Sequence, residues 1–143
     1  MGKKRIMKKS GGSDVAGTSR ALNRIPKRKL ATGRLSILAT FNNTLVTLSD
    51  SKGNAVMAAS SGALGFKGSR KSTPFAAAKV GEIIGDKAKQ MGMKEAEVII
   101  RGVGAGRESA LRAFAGKGIG VTRIVDRTPV PFNGPRPPKA RRI

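Results

Sequence analysis

Apolar and small residues cluster over 35–40 and again at Leu45, Val46, Thr47 and Leu48, in the short blocks typical of strands. Asn42-Asn43 lies between them and predicts a turn, because asparagine tolerates left-handed backbone. Ser51-Lys52-Gly53-Asn54 predicts a hairpin turn into a third strand over 55–60, which completes an antiparallel meander. The period then changes. Thr73 can cap a helix and Pro74 fits its first turn. Phe75, Ala78, Ile83, Ile84, Ala88 and Met91 approximate one helical face. Gly81 and Gly85 weaken that helix, and Gly92 can end it. Val98-Ile99-Ile100, within 97–101, reads as a buried parallel strand. A short helix over 107–115 points Leu111 and Phe114 inward, and 121–126 is the last strand. The order is β-β-β-α-β-α-β. Right-handed crossovers then give an α/β fold: a mixed five-stranded sheet with helices packed on it.

Charge adds a partner to this picture. The 143 residues carry 29 Lys+Arg against 8 Asp+Glu, a net charge of +21. Residues 1–34 hold +10 of it and residues 135–143 another +4, so the two ends are the most basic parts. The first end mixes Lys3-Lys4-Arg5 and Lys27-Arg28-Lys29 with Gly and Ser, too little apolar surface to fold alone. The last end holds Pro129, Pro131, Pro135, Pro137 and Pro138, which favour an extended path. This divides the chain into a basic extension (1–33), one α/β domain (34–128) and a basic arm (129–143). A polyanion is the natural partner, nucleic acid first.

Other classes are excluded by what the chain lacks. With no Cys and no His, there is no thiolate nucleophile, no Ser-His-Asp triad and no cysteine- or histidine-based metal site. No apolar run approaches the ~18 residues of a membrane span. Two glycine-rich loops follow strands and precede helices, where backbone N–H groups can receive phosphate. The first lacks the P-loop glycine, having Arg70 there; the second has Arg107 where a dinucleotide fingerprint needs its third Gly. Both place cations (Lys67, Arg70, Lys71; Arg107) beside helix N-termini, against the helix dipole, which suits an arriving phosphate. Asp50, Glu108 and Asp126 could meet at one end of the sheet as in a two-metal nuclease, but turn capping or pairing with Arg is the expected role of Asp50 and Asp126. The few aromatics, five Phe, favour recognition of structured RNA through phosphates and shape, with Phe66 and Phe132 free to pack on bases or on a protein neighbour. A DNA-compacting protein would share the charge and is separable by competition with duplex DNA.

Four motifs carry a resemblance. They are Phe41-Asn42-Asn43-Thr44 with Val46-Thr47, the run from Gly65-Phe66-Lys67-Gly68-Ser69-Arg70-Lys71-Ser72 to Thr73-Pro74-Phe75-Ala76-Ala77, Gly106-Arg107-Glu108-Ser109, and Thr128-Pro129-Val130-Pro131 through Asn133-Gly134 to Arg136-Pro137-Pro138-Lys139. In order and spacing, over about residues 34–143, the chain resembles ribosomal protein eleven of the small subunit, bacterial type. The resemblance implies a ribonuclease-H-like core without catalysis, no metal and no cofactor. It implies an rRNA-binding structural protein on the small-subunit platform, near the 3′ end of the rRNA and the mRNA exit region, beside other platform proteins. Asn42, Asn43, Lys67, Gly68, Ser69, Arg70, Lys71, Ser72, Arg107 and Asn133 would contact rRNA, while Arg136, Lys139, Arg141 and Arg142 would thread between rRNA helices. Neither a membrane nor a homo-oligomer is implied. The expected location is bacterial cytoplasm rather than an organelle. Val103 and Ala105 stand where relatives usually have Pro, and Arg127 where they have Val, which adds a cation.

Overall fold

The computed structural model describes residues 24–139. Residues 1–23 of the basic extension, and Arg141 and Arg142 of the arm, lie outside them. The elements are β1 (Thr32–Ala39), β2 (Thr44–Ser49), β3 (Ala55–Ser60), α1 (Pro74–Gln90), β4 (Glu95–Arg101), α2 (Gly106–Ala115) and β5 (Gly120–Asp126). A 3₁₀ turn over Gly68–Ser72 precedes α1. This is the predicted order of elements. β1 and β4 start earlier than their apolar blocks because polar and small residues also pair there: Thr32 opposite Glu95 and Gly33 opposite Ala96.

The strands form one mixed sheet in the order β3-β2-β1-β4-β5. β1, β2 and β3 make the antiparallel meander, and β1, β4 and β5 run parallel. Both crossovers, β3 to β4 and β4 to β5, step the same way across the sheet. Right-handed connection therefore puts both helices on one face. The core lies beneath them. Leu35, Ile37, Val46, Leu48, Val98 and Ile100 project from alternate strand positions toward α1 and α2, and Phe114 of α2 is fully buried among them.

The inward face of α1 is only partly the predicted one: Ile84, Ala88 and, just past the helix end, Met91 are buried as expected. It consists of Ala76, Ala77, Val80, Gly81, Ile84, Gly85 and Ala88. Phe75, expected inside, is 63% exposed. Gly81 and Gly85, which weaken an isolated helix, are here contact residues. A Cβ on Gly81 would stand 2.5 Å from the Ala110 carbonyl oxygen, and one on Gly85 2.7 Å from Cγ of Lys117. The glycines let α1 and α2 approach closely, and this small-residue contact outweighs the larger apolar stripe. The Thr73 hydroxyl accepts the Ala76 N–H at 3.4 Å as the predicted cap. Past the helix end, the Met93 N–H closes back on the Ala88 carbonyl at 3.0 Å, with Gly92 between them.

Candidate nucleic-acid interface

Because β2 runs opposite to β1 and β3, the β1–β2 turn, the 61–73 loop, the 102–105 loop and the start of the arm all leave the same end of the sheet. That end is the carboxyl end of the parallel strands, where open α/β sheets place their ligands. The topology thus gathers Asn42 and Asn43, the Lys67 to Ser72 run, Arg107 and the root of the arm that carries Asn133, Arg136 and Lys139.

The β1–β2 turn is closed by threonine. Thr40 Oγ1 accepts the backbone N–H groups of Asn42 (3.4 Å) and Asn43 (3.0 Å) and donates to the Asn43 carbonyl (3.1 Å). Neither asparagine adopts left-handed backbone; Asn133 does, at φ 54°. Asn42 is exposed, while Asn43 is half-buried with its Oδ1 enclosed and unpartnered.

The 61–73 loop is anchored at one end by the Ser61 N–H, which donates to the Thr44 carbonyl at 3.0 Å. Its 3₁₀ turn has no buried residue. Ser72 Oγ donates to the Ser69 carbonyl (3.0 Å) and Thr73 Oγ1 to the Arg70 carbonyl (2.7 Å), which leaves Lys67, Arg70 and Lys71 on the surface of a braced turn. None of these three belongs to an ion pair among the described residues; nor do Arg101, Arg127, Arg136 and Lys139. Phe75 stands beside this loop with its ring edge-on to Phe66 (centroids 6.1 Å apart) and under Lys79 Nζ at 5.5 Å.

The 102–105 loop is different. Its backbone donors are already in use: the Gly104 N–H donates to the Ala39 carbonyl at 2.9 Å, and the Gly102 N–H to Thr128 Oγ1 at 3.2 Å. The Arg107 guanidinium donates to the Gly102 carbonyl, Thr128 Oγ1 and Asp126 Oδ2. The cation that opposes the α2 dipole is therefore balanced within the protein by Asp126.

The acids do not converge. Asp50 follows β2 at the end of the sheet opposite Asp126. It is buried, accepts the Asn54 N–H (2.9 Å) and side-chain amide (3.1 Å), and pairs with Arg28 at 3.5 Å. These bonds, the Asn54 side chain first, hold its carboxyl below the usual range. Thr128 and then Arg107 do the same for Asp126. Glu108 pairs with Arg112 across one turn of α2 at 3.3 Å. Turn capping and pairing with arginine are thus the roles these carboxylates have. Asp126 has the pairing role expected of it, whereas Thr128 as its partner and exposed Arg101 escaped the sequence reading as parts of this end. The signals available were an acid ending one parallel strand and a cation ending its neighbour.

Among the described residues, no helix is long and apolar enough to cross a membrane. The sequence model of one protein family, described as ribosomal protein S11, matches residues 33–142.

Proposed function

The chain belongs to the ribosomal protein S11 family, as an rRNA-binding structural protein of the small ribosomal subunit, and from that premise we propose where and how it binds. It sits on the platform, near the 3′ end of the rRNA and the mRNA exit region, beside other platform proteins of a bacterial cytoplasmic ribosome. The loop-bearing end of the sheet faces folded rRNA. The 3₁₀ turn presents Lys67, Arg70 and Lys71 to phosphates, and Asn42, Asn43, Gly68, Ser69 and Ser72 offer short polar or backbone contacts between them. The arm carries Asn133, Arg136, Lys139, Arg141 and Arg142 onward between rRNA helices.

One observation carries this reading: three chain segments, the 61–73 loop, the end of β4 at Arg101 and the stretch from Arg127 into the arm, bring cations without acidic partners among the described residues to one end of the sheet, while the described acids at that end, Glu108 and Asp126, are already paired. Such cations release counterions when they meet phosphates, and the affinity becomes steeply salt-dependent. Hydroxyl-radical footprinting of full-length protein on small-subunit rRNA tests it. Protection confined to the platform and the 3′ region is expected, with duplex DNA a poor competitor. Protection elsewhere, or equal competition by duplex DNA, overturns it.

A further inference from the structure

We propose that Asp126 is a positioning residue for RNA binding: with Thr128 and Arg107 it forms a latch that sets the direction in which the C-terminal arm leaves the sheet. The inference rests on the reading above, in which that arm and the neighbouring loops face rRNA.

Asp126 is the last residue of β5. Its Oδ1 accepts the Thr128 N–H at 2.9 Å and the Thr128 hydroxyl at 2.6 Å, and its Oδ2 accepts from Arg107. The Thr128 oxygen in turn accepts the Gly102 N–H (3.2 Å) and an Arg107 N–H (3.3 Å). Between them, the Arg127 N–H donates to the Ile100 carbonyl at 2.9 Å. The Asp126 carboxylate thus ties the first turn of α2 to Thr128, the residue just before the arm, and through the Thr128 hydroxyl to Gly102, the residue after β4.

The arm continues through Pro129 and Pro131, and residues 129–139 are exposed. Proline fixes φ, and an extended chain advances ~3.1 Å per residue. With little packing further out, the arm's course is set at its root. A small rotation there displaces Arg136 and Lys139 by several ångströms.

The chemistry of the residue is informative. A carboxylate among cations repels phosphate and cancels a charge that RNA would otherwise use. For charge alone, Asp126 is the wrong residue at this end of the sheet. It stays ionised there because Thr128 and Arg107 stabilise the anion. Holding the arm gives the acid a role that charge complementarity does not.

The two readings predict opposite signs. Asp126→Ala removes a negative charge from the basic end. If only charge matters, the variant binds every RNA as well as or better than the parent. If the latch matters, affinity for platform rRNA falls about tenfold, the scale of coupling in a shared hydrogen-bond network, while binding to poly(U) is unchanged or tighter. Thr128→Val removes the hydroxyl at constant charge, and the same selective loss is expected. Filter binding of full-length variants, with poly(U) as the second ligand and thermal melts as the control for folding, reads the outcome. Platform affinity retained or raised in both variants overturns the latch, as does an equal loss on both RNAs. A parent protein that does not prefer platform rRNA over poly(U) overturns the functional reading instead.

Discussion

Gly65 and Gly68, in the first glycine-rich loop, have φ of 97° and 61°, and a Cβ on either would meet nothing within 4 Å among the described residues. In the second loop, a Cβ on Gly104 would overlap the Thr40 carbonyl oxygen, and one on Gly106 would overlap Thr44 Oγ1 and stand 2.7 Å from Cβ of Ala77. The two loops share composition and a place between strand and helix, but their glycines serve opposite needs. The first uses glycine for backbone shape and keeps its surface open. The second uses glycine chiefly for closeness, so that β4, α2 and the β1–β2 turn can approach one another, although Gly102 also adopts left-handed backbone at φ 93°. Glycine content alone therefore does not identify a phosphate cradle. The backbone donors of Gly102 and Gly104 already have partners inside the protein, and of the two loops it is the open one that carries cations outside ion pairs among the described residues.

The largest effect that separates the loops is expected from Gly104→Ala. The contact is with backbone, which cannot swing aside, so overpacking should cost on the order of 3 kcal/mol. For a domain of this size that lowers the Tm by about 10–20 °C. A melt within a few degrees of the parent would show that the packed loop can yield, and the contrast between the loops would collapse.

The next effect lies in the open loop and leaves the fold intact. Replacing Lys67, Arg70 and Lys71 together with Ala should move stability by no more than ~0.5 kcal/mol for each surface site. The slope of log affinity for rRNA against log salt should become shallower by about 2–3. An unchanged slope would remove these cations from the interface.

How far the sequence discloses this arrangement depends on what each residue is asked to do. The strands and their order were legible, because β-branched and apolar blocks between turn residues have few alternatives. Thr73-Pro74 announced the start of α1 through chemistry local to the chain. The inward face of α1 was legible at Ile84 and Ala88 but not in full. Hydropathy ranks Phe75 and Ile83 above Gly81 and Gly85, whereas the closeness of α2 selects the smaller residues. The same limit applied to the second loop. Nothing near Gly102 in the chain signals Thr128, the hydroxyl that occupies its N–H from 26 positions away. The cations of the open loop were legible because exposure and charge are properties of single residues; their convergence with the arm required the sheet.

A smaller effect is expected from Gly65→Ala, which probes the open loop in the manner that Gly104→Ala probes the packed one. There is no neighbour to strike, so the cost is left-handed backbone alone, about 1–2 kcal/mol, and a Tm shift below that of Gly104→Ala. Thermal melts of the two variants side by side check the order. A reversal would mean that shape, not closeness, limits both loops.

The smallest effect concerns the far end of the sheet, where acids are kept with cations inside the protein instead of leaving cations for a ligand. The Asp50 carboxyl is held below its ordinary 3.8 by the Asn54 side chain and then the Asn54 backbone, with Arg28 adding attraction. Between the folded and unfolded values, the unfolded chain binds more protons than the folded one, so stability rises with pH there. The contribution is complete above about pH 4 and fades as pH falls through the folded value. Asp50→Asn keeps an acceptor for the Asn54 N–H but cannot titrate. Its melting temperature should therefore fall less than the parent's between about pH 5 and pH 3, the window that an aspartate spans. Asp126 contributes a slope of the same sign, so some acid sensitivity should survive the substitution. If both proteins lose stability in parallel on acidification, the buried carboxylate of the paired end is not what acid attacks, and the two ends of the sheet differ in exposure alone.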